Sequence, residues 1–545
     1  MTRTATVDVL VVGAGPVGLT AAVELRRRGV ACRIVDRLPV RAPFAKAVGV
    51  QPRTLEIWDR MGLVREALEA AVPMRGQLTY VDGAEQARID LALPPEVPYG
   101  FAALPQYETE RILDEFLGRF GTAVERGVEL VSFSQDAGGV TSRLVSSAGG
   151  AGAGQEEVRS RFLVGCDGAH SLVRKQLGLA FEGGAFPEEY MLADVEVDWE
   201  LPPGYSVRAM HQAADGTVDD LLVCIPLPGR KRYRMSMTVP PALSRARGAE
   251  QPAGVAHGLE EDGQLPALPD VQAVLDRLSP QPTTASALRW SSVFRISHRL
   301  VDRYGEGRVL IAGDAAHIHP PTGAQGMNTG IQDAYNLAWK LSLAVRGTAH
   351  PHLLASYDAE RRLVAAEVVG RTVRHAAHGV QADPEDPATL LLREAQLLIA
   401  YPGSPIVARP DAAAQGPQPG ERAPDCGGLT HPIASRPQRL YDLLRNRDHV
   451  LLLYSDGGEW ATEFLSAAEE LASGHMSACV ILAADARSDA PPPPAYRDAA
   501  GDFARIYAVH ARTAFVVRPD GYLGARIHPP TARELAAHLT QVFGS

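Results

Sequence analysis

The 545 residues are 46% hydrophobic and 22% charged, ordinary proportions for a globular protein, and are too many for one core, so two or three domains are expected. A net charge of -10 argues against a nucleic-acid partner held by counterion release, yet leaves room for a basic pocket that takes a small anion. Five scattered cysteines with no CxxC pair exclude a disulfide framework and a cysteine-held zinc or redox centre, and fit a reducing cytoplasm.

The first residues run straight into an apolar stretch, with no basic, apolar and small-residue succession, so no secretory signal is expected. No apolar run approaches the roughly 18 residues that suggest a membrane span. The run Val9-Leu10-Val11-Val12 predicts a buried parallel strand. A glycine turn follows, then a helix from Pro16 to Arg28 closed by Gly29, then a second strand, Cys32 to Asp36. Together they form one βαβ unit with a right-handed crossover.

Gly13-Ala14-Gly15-Pro16-Val17-Gly18 carries the dinucleotide fingerprint in the right setting, after a strand, opening a helix, and with Asp36 about 20 residues on. Gly13 allows the tight turn, Gly15 admits a pyrophosphate against the backbone, and Gly18 lets helix and strand pack closely. The helix start offers free amides and partial positive charge to the phosphates, and Asp36 would accept from ribose hydroxyls. The spacing alone does not separate FAD from NAD.

Farther along, a helix is predicted over Glu110 to Arg119, with Ile112, Leu113, Phe116 and Leu117 on one face. Short strands fill 130–164, broken by a Gly/Ala/Ser hairpin tip near 148–154, and Arg161 to Gly165 returns to a buried strand. From 185 to 295 runs such as Asp219 to Leu227 and Tyr233 to Val239 predict a mainly β layer, with 241–285 as loop plus one short helix. Val309 to Asp314 reads as a buried strand, and Asn328 to Val345 as a long helix closed by Gly347. Residues 402–428, rich in Pro and Gly, read as a linker. Beyond it lie strands at His449 to Tyr454 and Ala478 to Ala483, a Pro519-Asp520-Gly521 turn between strands, and a helix from Thr531 to Val542.

Two further segments, Gly165-Cys166-Asp167-Gly168-Ala169-His170-Ser171-Leu172-Val173-Arg174 and the run from Gly313-Asp314 through His317, His319, Pro320 and Pro321 to Gly326-Met327-Asn328, join the fingerprint in one ordered set. With them the chain resembles, over about residues 7 to 375, the class A flavoprotein monooxygenases, the para-hydroxybenzoate and phenol hydroxylase family. Its long form looks most like phenol hydroxylases and the aromatic-polyketide hydroxylases of bacterial secondary metabolism. The resemblance implies an α/β fold with a Rossmann-like FAD-binding domain (1–180 and 290–400), a mainly β substrate domain (181–289), a linker (401–428) and a thioredoxin-like C-terminal module (429–545). That module lacks CxxC, so packing or oligomer contacts are its expected role, in a monomer or homodimer.

The cofactor-binding set is then Gly13, Gly15, Pro16, Val17, Gly18, Asp36, Arg37, Lys46, Gln106, Asp167, Asp314, Pro321, Gly326, Met327 and Asn328. Asp36 and Arg37 match the pair at the adenosine ribose and neighbouring phosphate, and Gln106 the contact to the ribityl-phosphate region. Asp167-Gly168 and Arg174 match a motif tied to both FAD and nicotinamide. Asp314 ends a strand where a carboxylate meets the ribityl or pyrophosphate region. The glycine-rich run from Pro320 to Asn328 presents amides and a helix dipole to the pyrimidine edge of the flavin, where reduced flavin is anionic. Lys46 stands where many relatives have arginine, so bidentate contacts are lost there. Arg53 is expected to cap or brace the following helix, and His317 and His319 to be turn residues bonded to backbone.

The implied reaction takes hydride from NAD(P)H, with NADPH the favoured form, and inserts one atom of molecular oxygen into a small aromatic substrate through a flavin C4a-hydroperoxide. No metal is implied. No catalytic base is assigned; His211, Tyr233 and Arg295 are candidates on the β layer, and Trp290 and Phe294 are candidates for an aromatic wall. A Baeyer–Villiger oxygenase, a flavin reductase and a non-catalytic flavin-binding protein are the competing readings.

Overall fold

Val9, Leu10 and Val11 are fully buried, which requires a strand covered on both faces. In the computed structural model, which describes residues 5–43, 46–147, 154–240, 265–378, 385–457, 461–472, 474–486 and 494–544 with Leu243, Val255, Gly258 and Leu259, that strand is Ala5–Val12. It pairs in parallel with Gln155–Gly165 on one side and Cys32–Asp36 on the other. Val309–Ile311 and Glu125–Arg126 extend the parallel sheet outward. The helix Pro16–Arg27 covers one face, and Gly29, with φ of 74°, ends it as the sequence indicates. The long helix begins one turn earlier than expected, as Gln325–Arg346, and Gly347 closes it in the left-handed conformation. The helix expected from Glu110 likewise starts earlier, as Gln106–Gly118.

A second sheet has two 17-residue strands, Phe181–Val197 and Ala285–Val301, as its antiparallel spine. Their shared end, Phe181 opposite Val301, meets the parallel sheet, and the other end reaches the β layer. Arg232–Thr238, Val218–Pro226 and Tyr205–Gln212 follow in antiparallel order. Gly76–Val81 then pairs in parallel with Tyr205–Gln212, and Ala84–Asp90 closes the edge. Those last two strands fall inside the range assigned from sequence to the cofactor domain. Leu78 and Tyr80 bury among Met191, Val207 and Met237 of the substrate layer, and alternation shows that a strand exists without showing which sheet it joins. The helix Leu268–Leu278 backs this sheet, while most of 241–264 and the hairpin tip at 148–153 lie outside the described residues.

The third sheet orders Leu429–Thr430, Ala495–Asp498, Met476–Leu482, His449–Ser455, Thr513–Val517 and Leu523–Ile527. Ala495–Asp498, Met476–Leu482 and His449–Ser455 pair in parallel, and the pairings toward both edges are antiparallel. The last helix is Ala532–Leu539, with the Thr531 hydroxyl accepting from the Glu534 amide. Residues 402–428 are not a free spacer. Ile406, Ala423 and Cys426 bury in the third core, and Arg422 pairs with Glu56 of the first domain at 2.8 Å. Pro and Gly content marks absence of regular structure, which here coincides with tight packing. Among the described residues no helix is long and apolar enough to cross a membrane.

Candidate active site

The turn after the first strand is held from both sides. The Gly13 amide donates to the Val35 carbonyl at 2.8 Å, and Gly13 sits at φ of 96°. A Cβ at Gly13 would overlap the Cys166 carbonyl oxygen, and one at Gly18 would overlap the Gly13 carbonyl oxygen. A Cβ at Gly15 would meet nothing within 4 Å. The protein itself therefore demands glycine at 13 and 18, whereas at 15 the missing side chain leaves open space. Helix Pro16–Arg27 starts there with no side-chain cap and no acid in its first turn, so its first amides are available to an anion.

Around this turn the carboxylates act first as braces. Asp36 accepts from the Ala14 amide at 2.7 Å and from the Leu38 amide at 2.8 Å. Gln106 accepts from the Ala47 amide at 3.3 Å and donates to Glu110 at 2.9 Å. Burial pushes the Glu110 carboxyl up to about 7. Asp167 accepts from the Leu172 and Val173 amides through Oδ2, at 2.8 and 3.2 Å, and burial raises its pKa. Its buried Oδ1 has no hydrogen-bond partner among the described residues.

These groups line one end of a cavity of 3420 Å³ whose floor is the second sheet. A pocket for one drug-sized ligand takes about 300–1000 Å³, so there is room for two large molecules side by side. Register places Thr79, Arg208, Val223, Ser236, Leu192 and Ser292 in a single row across six strands, all facing the cavity. One step along, Trp290, Phe294 and Ile296 form an aromatic and aliphatic wall with Leu192, Tyr190 and Phe186.

The chain that builds this cradle and floor is similar to known proteins. Residues 6–372 match the family described as FAD binding domain, and residues 416–545 match that described as aromatic-ring hydroxylase, C-terminal. A flavin-dependent monooxygenase of Mycobacteroides abscessus is 34% identical, over 98% of this chain and 99% of that protein. The 6-methylpretetramide 4-monooxygenase of Streptomyces rimosus is 32% identical, over 98% of this chain and 93% of its own length. The chain belongs to the FAD-binding aromatic-ring hydroxylases, the class A flavin monooxygenases. The solved anhydrotetracycline hydroxylase of Streptomyces rimosus superposes with a TM-score of 0.73 at 28% identity, covering 99% of both chains.

The site of this monooxygenase fits FAD. The open space at Gly15, the two uncapped helix starts at Pro16 and Gln325, and the orphaned Asp167 oxygen are what a pyrophosphate, a flavin edge and a ligand donor would fill. Of the residues proposed from sequence, Gly13, Gly15, Pro16, Val17, Asp36, Arg37, Lys46, Gln106, Asp167, Asp314, Pro321, Gly326 and Met327 line the cavity. Gly18 does not, because its task is packing.

Asn328 does not line the cavity, and its side chain is fully engaged within the protein. Its oxygen accepts from the Gln51 amide and the Thr54 hydroxyl at 2.9 and 2.7 Å, and its nitrogen donates to the Gly49 and Ala324 carbonyls at 2.9 and 2.8 Å. Only its backbone remains to offer. Arg174 is also displaced from a ligand role. It is buried, donates to the Ala315 and Ala169 carbonyls at 3.1 and 2.7 Å, and so ties the Asp167 loop to the Asp314 turn.

His319 bonds the Pro320 carbonyl as a turn residue should, but His317 instead meets the buried Asp333 carboxylate at 2.7 Å. Burial alone would raise the Asp333 carboxyl; His317 and Arg361 together hold it below its ordinary range. Arg53 does more than brace its own helix. It pairs with Glu56 and reaches the Asp520 carbonyl of the third domain at 2.8 Å.

None of the three base candidates lines the cavity. His211 is exposed and paired with Asp219, Tyr233 packs edge-on to Trp199 in the opposite core, and Arg295 pairs with Glu189. Alternation along the strand could have excluded Tyr233, since Arg234 and Ser236 face the other way. Trp290 and Phe294 do face the cavity. Sequence reasoning missed Arg208 and Arg234 on the floor; their cavity-facing parity with Ser206, Met210, Ser236 and Thr238 was the available signal.

Proposed function

We propose that this flavin-dependent monooxygenase hydroxylates the ring of a phenolic or polyketide-type substrate with electrons from NAD(P)H, NADPH being the favoured donor. The observation that carries this reading is the single cavity in which the dinucleotide cradle faces the Trp290–Phe294 wall. Relatives named as 6-methylpretetramide and anhydrotetracycline monooxygenases support it, because both names specify fused-ring polyketides. When bound, FAD supplies two-electron chemistry with the nicotinamide and the activation of molecular oxygen.

The chain's own residues bind, orient and shield. The amides after Gly13 and the uncapped start of Pro16–Arg27 would hold the pyrophosphate, and Asp36 the ribose. Asp167, Asp314 and Gln106 would bind along the ribityl chain, with Arg37 and Lys46 at the rim. Pro321, Gly326, Met327 and the backbone of Asn328 would present the helix start of Gln325–Arg346 to the pyrimidine edge, where negative charge gathers on reduction. The β floor and the wall of Trp290, Phe294 and Ile296 would align a planar ring and keep water from it. One dinucleotide fingerprint serves FAD, so the nicotinamide visits without a domain of its own.

The third sheet, with parallel central strands and antiparallel pairings toward both edges, supports a thioredoxin-like module, and without CxxC its contribution is packing. A screen of phenols, naphthols and polycyclic quinones for stimulated oxidation of NADPH by the holoenzyme tests the proposal. Stimulation by planar fused-ring phenols is expected. Slow oxidation indifferent to every aromatic compound would overturn it.

A further inference from the structure

Arg208 stands toward one edge of the cavity floor on the strand Tyr205–Gln212, and it has no hydrogen-bond or ion-pair partner among the described residues. Its Nε is buried and unsatisfied, an arrangement that costs stability unless something fills it. The carboxylates of the surrounding strands that also line the cavity are engaged elsewhere. Asp219 pairs with His211, Asp220 with Arg277, Glu189 with Arg295, and Asp90 with Arg88 and Tyr205. Glu188 is exposed and forms no ion pair with Arg208. The neighbouring cation on the floor, Arg234, is by contrast bound to the buried Asp194 and lies over the Trp290 ring. One arginine is thus part of the wall, and the other is a charge without a counterion among the described residues.

Position adds a constraint of length. Arg208 and Ser292 stand in the same transverse row, separated by Val223, Ser236 and Leu192, which is four strand spacings or about 19 Å between backbones. The aromatic wall rises at the Ser292 end, with Trp290 and Phe294 on either side of it along the same strand. A ligand that stacks at the Trp290–Phe294 end and also reaches Arg208 must be extended, a length that a fused polycycle provides. At the Arg208 end it would meet Thr79 and Ser206 beside the guanidinium, polar groups suited to a planar, charged oxygen pair.

We propose that Arg208 is a specificity-determining residue that anchors a carboxylate carried by a polycyclic aromatic substrate, at the end of the ring system remote from the Trp290–Phe294 wall. The inference rests on the aromatic reading of the cavity and adds the charge of the substrate. Anthracene-2-carboxylate and anthracene-2-carboxamide differ in charge at nearly constant shape, and their dissociation constants are measured on the oxidised holoenzyme by flavin absorbance perturbation, with no turnover required.

Wild type is expected to bind the carboxylate more tightly than the amide. Arg208→Gln should weaken the carboxylate by about tenfold to a hundredfold, the range for a charge-assisted hydrogen bond, and leave the amide within about twofold. Arg208→Lys keeps the charge without the planar fork and should fall between; it carries the test if the glutamine variant does not retain FAD. Equal losses for both probes, unchanged carboxylate binding in Arg208→Gln, or no carboxylate binding by wild type would each overturn the proposal. Charge discrimination without stimulated NADPH oxidation would instead uphold Arg208 while removing the hydroxylase reading of the cavity.

Discussion

Arg518 grips Glu360 with two parallel hydrogen bonds, Nη1 to Oε1 at 2.7 Å and Nη2 to Oε2 at 2.8 Å, and neither side chain reaches solvent. The pair joins the Pro519-Asp520-Gly521 turn of the third domain to the helix Ala355–His378 behind the cofactor sheet. Lys340 adds a second cation to Glu360 at 2.8 Å, and Asn336 and Trp339 of the long helix donate to Asp520. The helix whose first turn faces the cavity is therefore held at its middle by the C-terminal domain.

Removing one partner strands a buried charge, which typically costs about 3–5 kcal/mol. Arg518→Met should lower the free energy of unfolding, measured by denaturant titration, by that amount at neutral pH. Burial alone would raise the Glu360 carboxyl; Arg518 and Lys340 hold it well below its ordinary value of 4.5. A depressed folded-state pKa gives stability that is present above pH 4.5 and is lost as pH falls below it. The gap between wild type and variant should therefore shrink in acid.

Gly15 and Gly18 should fail in different ways. Gly15→Val places its side chain in open cavity, so the protein is expected to fold with native circular dichroism yet purify without yellow colour. Gly18→Ala drives a methyl into the Gly13 carbonyl and should cost about 3 kcal/mol, the upper end for overpacking. Absorbance at the flavin band with thermal unfolding of the same samples separates the two outcomes.

Glu110, pushed up to about 7 by burial, gives a pH signature of opposite sign. Its folded-state pKa lies above the ordinary 4.5, so the folded protein holds the extra proton between those values and loses stability as pH rises through the interval. Glu110→Gln, which can still accept from Gln106, should match wild type near pH 4.5. Above pH 7 it should exceed wild-type stability by about 3 kcal/mol in the FAD-free protein.

Trp290 should matter for the substrate, and residues of the same sheet that face away from the cavity should not. Trp290→Ala is expected to weaken binding of 2-naphthol by about tenfold, the worth of one stacked aromatic contact plus its buried area. Tyr233→Phe and His211→Ala, whose side chains lie outside the cavity, should leave the same dissociation constant within about twofold.

The cradle was readable because its logic is local. Gly13, Gly18 and Asp36 serve one turn between the strand Ala5–Val12 and the helix that begins at Pro16, with Asp36 about 20 residues on, and the structure places each where that turn requires it. Asn328 shows the limit. Its place in a glycine-rich, ligand-facing run was legible, but the partners that consume its side chain, Gln51 and Thr54, lie about 275 residues earlier in the chain. The same limit hid the membership of Gly76–Val81 in the substrate sheet and the burial of Arg518, since both depend on pairings that no window of sequence contains. Arg208 was missed for a different reason. A single arginine in a strand is ordinary, and only the absence of a partner makes it informative.

The most direct test of a monooxygenase working across this cavity is the oxygen isotope of its product. With NADPH and a polycyclic phenol that stimulates its oxidation, turnover under 18O2 should give a product heavier than the substrate by one 18O atom, while 18O-labelled water gives none. An unlabelled hydroxyl from 18O2, or reduction of oxygen with the substrate recovered unchanged for every phenol that stimulates NADPH oxidation, would contradict the account.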